Sequence, residues 1–462
     1  MKTKLAILLF LAGTCAQAQE SQLQADFRNE KQDFQKDCSG SFFKAIAGCA
    51  QDLFTNHPLH IAEGSIAPQN GFGLGPAFVA HKTPNERWRL SWDADAIVST
   101  NASWRAGVYM KAIYIPRENI GVITGTPSQT PAKSNLTVRE YPVINVYTQA
   151  ISLNTVDYYG LGNSTSRAGE TILGMRETIA GANAIVPIVP KWKISLFGEM
   201  NGRFVDLRSD QAESTPSIGQ LYTPVSAPGP AAQPGFVQLG EGLRIRPTLL
   251  SDHLQLNYQV TFQEFIAPGS HYSFNRFNAD LSHEFPIYGN FLRFQSKDFN
   301  GPDECATSPG SRRCPAVTRD RSGSFGVRFL YSESFAAAGN AVPFYFDPTL
   351  GGSDIDGNQF LPSYHDYRFR APNLLLLRGT FEHSIYGPLG FIFMADTGKV
   401  ALTHSEIDFS HLKHSFTTGL TLRAGGLPVV SLLFAWGGNE GTHNILSVNS
   451  SLLGGSARPS LY

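Results

Sequence analysis

Hydrophobic and polar residues alternate without a break from Leu254 to Gln263. Leu254, Leu256, Tyr258, Val260 and Phe262 share one face, and Gln255, Asn257, Gln259, Thr261 and Gln263 share the other. Successive side chains of a strand point to opposite faces, so this segment is a strand with an oily side and a wet side. The pattern recurs. Trp88, Leu90, Trp92, Ala94, Ala96 and Val98 oppose Arg89, Ser91, Asp93 and Asp95; Phe325, Val327, Phe329 and Tyr331 oppose Arg328 and Ser332. Alternation alone fits a soluble β-sandwich with the oily face inward. It fits equally a membrane barrel with that face turned to lipid.

Sixteen such segments follow one another from Gly71: 71–80, 87–99, 103–116, 136–150, 171–188, 190–207, 236–249, 252–266, 270–286, 288–299, 319–336, 366–385, 388–400, 414–426, 428–437 and 443–455. Many exceed the ~5–6 residues of ordinary strands and reach the ~9–11 of membrane strands. Aromatic residues recur at strand ends, at Trp88, Tyr114, Tyr288 and Trp436, where interfacial girdles would lie. The fold expected is all-β, a transmembrane antiparallel β-barrel of about 16 strands with a short N-terminal helical segment. Long loops at 117–134, 208–234, 300–318 and 337–365 should then share one end. The segments do not keep that alternation through 150–240 and near 300, so a boundary there is misplaced. A phase slip at Arg276-Phe277 predicts a bulge.

The first residues change the picture further. Lys2 and Lys4, an apolar "LAILLFLAG" and Ala16-Gln17-Ala18 form a signal peptide over 1–18, implying Sec-type export. Residues 19–70 read as a short helical periplasmic segment or plug, with Leu23, Phe27 and Phe34 on one face and Phe42, Ile46, Cys49 and Leu53 on a second. Residues 71–462 form the barrel. No later run approaches the ~20 apolar residues of a membrane helix. The mature cysteines fall in two local pairs, Cys38 with Cys49 and Cys305 with Cys314, which predict two disulfides in an oxidising compartment. Net charge is −1 and charged residues are 16%, so nothing in the charge points to nucleic acid.

A more specific signal lies between Val342 and Val400. It combines Leu350-Gly351-Gly352, Pro362-Ser363-Tyr364, Arg368-Phe369-Arg370, a leucine strand from Leu374 to Glu382, and Phe393, Asp396, Gly398 and Val400. "YYGLGNST", Tyr158 to Thr165, adds a second match. These segments resemble the barrel of the outer-membrane assembly and secretion superfamily (the BamA/TamA type, or bacterial surface antigens). The resemblance implies that the loop over 342–365 folds back into the lumen, with an Arg meeting the acid at Asp396. An Arg gives a planar fork for a carboxylate, which suits a charge-assisted anchor. Here Pro362 stands where that Arg is expected, so Arg368 or Arg370 substitutes or the anchor is lost. Gly351, Gly352 and Tyr364 are the loop-motif positions. Residues 19–70 are too short for one whole periplasmic repeat of the family's kind.

Other chemistries find little support. Asp354 to Asn358 hints at a calcium loop, but Gln359 and His365 occupy the positions that need Gly and Glu. No GxSxG elbow exists, so no enzyme, cofactor or metal is expected. The expected location is the bacterial outer membrane. The expected partners are outer-membrane lipids, the cell's barrel-assembly machinery for the chain's own insertion, and client proteins or lipids. The function this implies is insertion or export of protein or lipid; a passive or gated diffusion channel is the alternative.

Overall fold

The computed structural model describes residues 59–116, 140–209, 215–229, 233–250, 252–291, 318–424 and 427–448. Its strands are β1 (Leu59–Ser65), β2 (Phe72–Asn85), β3 (Trp88–Ser99), β4 (Trp104–Tyr114), β5 (Val143–Tyr158), β6 (Thr171–Val189), β7 (Ile194–Ser209), β8 (Gly235–Ile245), β9 (Leu254–Ile266), β10 (Phe274–Phe291), β11 (Thr318–Ala336), β12 (Asn373–Tyr386), β13 (Leu389–Ala401), β14 (Lys413–Ala424), β15 (Leu427–Gly438) and β16 (Gly441–Val448). Thr248–Leu249 continues β8 after a short interruption, and both pieces pair with β9. Each strand is antiparallel to the next, from β1 through β16. This sheet is the all-β, 16-stranded antiparallel architecture expected.

Strict alternation of direction sends successive connections to opposite ends. Residues 86–87, 190–193 and 387–388 make tight turns at one, the turn end. Residues 159–170, 210–234, 337–372 and 402–412 connect strands at the other, the loop end. The connections after β4 and β10 fall at the turn end. The expectation that all long loops share one end therefore fails for two of the four. Added loop length costs little closure entropy, so the sheet tolerates long connections at either end.

The strand count hides two compensating errors. Residues 59–65 are a strand in register with β2 (Leu59↔Phe78 to Ser65↔Phe72), inside the span read as helical. The preceding residues of that span lie outside the described ones. "LHIAEGS" is too short and mixed for periodicity to reveal it; pairing with β2 decides. Conversely, 270–286 and 288–299 read as two strands, but β10 runs unbroken through Pro286 to Phe291. The expected bulge also moves. β9 and β10 keep register across Phe262↔Phe277 and Gln263↔Arg276, and the slip lies between Ile287 and Tyr288, next to the proline, which sheets accept at irregularities. Both cysteine pairs lie outside the described residues.

Facing residues of paired strands share a side of the sheet. Gln259 faces Asp280, and Asp280 faces Leu330, which packs on a loop inside the barrel. Gln259 therefore points inward. Val260 faces Ala279 and Leu243 and points outward, as does Phe262, 41% exposed. The outward rows stay apolar around the sheet. Met200, Phe204, Leu420, Leu432 and Phe434 are all exposed. Trp88 packs on Tyr114 at the turn end, with ring centroids 5.1 Å apart, and Trp436 contacts Phe416 and Phe434 at the loop end. An apolar outer surface with aromatic clusters at both ends, around a polar interior, is the pattern of a transmembrane β-barrel.

Candidate functional site

The connection between β11 and β12, residues 337–372, does not stay outside. Leu361 and Ala371 are fully buried, and Phe344, Phe346, Tyr367 and Phe369 are each 1% exposed. Phe344, Phe346 and Ile355 join a cluster with Ile151 and Leu153 of β5, Val205 of β7, Phe236 of β8 and Phe265 of β9. Leu350, Phe360 and Leu361 pack instead on Leu374 and Leu376 of β12 and Val400 of β13. The loop thus crosses the lumen near its loop end, packing on β5, β7, β8 and β9 on one side and on β12 and β13 on the other.

Local chemistry shapes the loop before the wall holds it. Gly351 (φ +100°) and Gly352 (φ +57°) adopt the left-handed region, and a Cβ on Gly352 would come within 2.6 Å of the Asp366 backbone nitrogen. Only glycine turns the chain there without strain. The turn lets Gly351 N donate to Phe360 O (3.0 Å) and Phe360 N donate to Gly352 O (2.9 Å). Phe360 is thereby fixed in a short ladder whose turn lies at Asp354–Gly357. Asp354 accepts from Asn358 N (2.7 Å) and Asn358 Nδ2 (2.9 Å). That carboxylate is spent on a turn rather than offered to calcium, and no group of three metal-binding side chains occurs among the described residues. Burial, with Asp356 nearby, pushes Asp354 up to about 7.

The wall grips Phe360 with two arginines. Arg328 of β11 and Arg378 of β12 face each other directly across the strand pair. Like charges so placed repel. Each is neutralised on its far side. Arg328 makes a fork to Asp280 (2.9 and 2.9 Å), and Arg378 makes one to Asp396 (2.6 and 2.6 Å). Phe360 sits over both guanidinium groups, 5.5 Å from each. Arg378 also donates to Gln359 O, and Asp396 accepts the Leu361 backbone N–H (2.9 Å). A second row of pairs lies closer to the turn end, Arg321 with Glu284 and Arg423 with Glu382.

Neither Arg368 nor Arg370 is therefore the partner of Asp396; the anchoring arginine comes from the wall, not the loop. The two loop arginines do other work. Arg370 donates to Phe344 O (2.9 Å). Arg276 of β10 donates to Phe346 O (2.6 Å) and covers the rings of Phe265 and Phe274. Asp347, fully buried, lies near both, and burial holds its carboxyl well above the usual range despite those two cations. Arg368 lies at the loop end with Glu440 and Thr165. Tyr364 is buried against Phe369, edge to face at 5.1 Å. Across the lumen, Arg203 of β7 pairs with Glu177 of β6 at 3.0 Å and donates to Gln238 of β8 at 2.6 Å. Arg378, Phe360, Asp280 and Arg203 were not singled out by sequence. The available signal was inward parity, which placed Arg328 on the polar face but named no partner.

Comparison with solved structures finds outer-membrane proteins at low similarity. CdiB from Escherichia coli aligns with a TM-score of 0.47 at 10% identity, over 85% of this chain and 61% of that one. CdiB from Acinetobacter baumannii gives 0.42 at 10% identity, over 83% and 55%. BamA from Haemophilus ducreyi lacking POTRA domains 1–3 gives 0.43 at 11% identity, over 89% and 78%. The chain thus spans less than two thirds of the length of either CdiB. No family model matches the sequence, and no curated protein matches it.

Proposed function

We propose that this barrel acts in the insertion or export of protein or lipid at the bacterial outer membrane, after Sec-type export of the chain. The observation that carries the reading is the loop packed across the lumen. A passive diffusion pore needs a water-filled channel, whereas here an ordered loop spans the lumen and is fastened to β10, β12 and β13. The resemblance between Leu350 and Val400 supports the same reading. With sixteen consecutive antiparallel strands, β1 begins and β16 ends at the turn end. A chain delivered to the periplasm would keep that end there and place the loop end outside. Its partners would be outer-membrane lipids, the assembly machinery that inserts it, and client proteins or lipids.

Depletion of the protein followed by quantitative proteomics and lipid analysis of the outer membrane tests this. Loss of a defined set of outer-membrane proteins or lipids is expected. An unchanged outer membrane would sink the proposal and leave the gated channel as the better reading.

A further inference from the structure

The last hairpin, β15–β16, is gripped by the segment of the lumen loop that follows the Phe360 clamp. The Tyr364 ring lies on Gly438, where a Cβ would come within 2.8 Å of it. His365 donates its backbone N–H to Glu440 Oε2 (3.3 Å), and its ring meets that of His443 edge-on at 5.0 Å. Arg368 pairs through Nε with Glu440, and both side chains are buried, 5% and 9% exposed. The other two nitrogens of the same guanidinium donate to Thr165 Oγ1 (2.8 Å) and Thr165 O (2.7 Å). Thr165 belongs to the β5–β6 connection. The backbone N–H of Gly162, in that same connection, donates to Arg370 O (2.7 Å).

One side chain thus joins three pieces of chain that are far apart in sequence. Among the described residues β16 covers Gly441–Val448 and has a paired register with β15 alone. These side-chain contacts add to that ladder in holding the hairpin. We propose that Arg368 is a strap that holds the β15–β16 hairpin against the β5–β6 connection, and that releasing it frees the hairpin while the Phe360 clamp keeps the rest of the loop seated. The two attachments engage different wall elements, and the loop links them where Thr349 and Leu350 pair with Arg370 and Phe369. The clamp uses β11, β12 and β13, and the strap uses the β15–β16 turn and the β5–β6 connection. Other charged groups near the strap include Arg167, Glu170, Asp366 and Lys413. The strap would serve the proposed function by setting how often the hairpin moves, but its test reads movement rather than clients.

The test is hydrogen exchange on the full chain, folded in detergent micelles, with Arg368→Gln, Arg368→Lys and Glu440→Gln. Removing one member of a buried pair should raise exchange over 427–448 and 159–170 at least about tenfold. Exchange over 354–361, the part of the loop that carries Phe360 and does not pair with the strap segment, should change less than about twofold in the same variants. Arg368→Lys keeps the charge but loses the fork to Thr165, so it should fall between the wild type and Arg368→Gln. Unchanged hairpin exchange in Glu440→Gln would overturn the proposal, and so would an equal rise over 354–361. Should Arg368→Gln not fold, Glu440→Gln and the swap of Arg368→Glu with Glu440→Arg carry the test; a swap that restores hairpin protection supports the strap. An unchanged outer membrane after depletion would fell the functional reading without altering this exchange pattern.

Discussion

At the residue scale the barrel's interior is organised by charge neutralisation. Arg328 and Arg378 can stand opposite each other only because Asp280 and Asp396 flank them. The Asp396 side chain is 1% exposed and that of Arg378 is 13% exposed, so this pair lies in a dry site. Breaking a buried pair from one side leaves the other charge uncompensated and costs about 3–5 kcal/mol. Arg378→Met should therefore destabilise the folded barrel by about 3 kcal/mol in urea unfolding from lipid vesicles. Adding Asp396→Leu should recover part of that loss, because the second change removes the stranded carboxylate. If the double variant were less stable by the full sum of the two single losses, the pair would not be coupled and the clamp would need another explanation. The opposite wall repeats the design with Arg203 and Glu177, both 1% exposed.

At the element scale, strands and loop answer to different rules. Alternation from Leu254 to Gln263 assigned both faces of β9 correctly, because a period of two survives any register. It yields a direct test. Val260→Arg, facing lipid near mid-strand, should cost about 2–4 kcal/mol of folding stability in lipid, while Gln259→Arg should be tolerated. Cross-strand partners were not legible, since they depend on register and a strand read alone does not show it. Hence Asp396 was recognised as an anchor while its true partner, Arg378, was passed over for Arg368 and Arg370. β1 escaped because seven mixed residues carry no clear period until β2 supplies the ladder. The loop's glycines were legible as a motif, and the left-handed turn at Gly351 and Gly352 gives the reason. The loop should also respond to pH. Burial raises Asp354 from 3.8 to about 7. A carboxyl raised on folding contributes stability below its unfolded value and loses it as pH rises through the folded value. Seating of 349–361 should thus weaken between about pH 4 and 7. Asp366 and Asp347 shift upward as well and act in the same sense, whereas burial lowers His365, which opposes seating as pH falls. Asp354→Asn removes the leading carboxyl. Protease cleavage within 349–361 should rise from pH 5 to pH 8 in the wild type and rise less in Asp354→Asn. Equal pH dependence in the two would assign it elsewhere.

At the scale of the whole molecule, the question left by the alternation of oily and wet residues is whether the wet interior is a passage. Inward-facing Gln259, Asp280 and Arg321 line a polar lumen wall, but the apolar cap of Phe344, Phe346 and Ile355 lies across the loop end. Closure depends on the loop staying seated, and the Phe360 clamp sets that. The intact barrel in a planar bilayer should show little steady current. Deleting 342–365, which removes the cap together with Phe360, should open long-lived, ohmic channels, because the wall strands keep their ladders without the loop. Phe360→Ala should fall between them, giving brief openings, since it removes an aromatic worth roughly 3–5 kcal/mol of burial while leaving Arg378 bound to Asp396. A large, steady current through the wild type would show that the loop does not seal the lumen, and the diffusion-channel reading would then displace the assembly one. The ordering of wild type, Phe360→Ala and loop deletion also separates a seal made by the clamp from one made by sheer loop bulk, which would leave Phe360→Ala as quiet as the wild type.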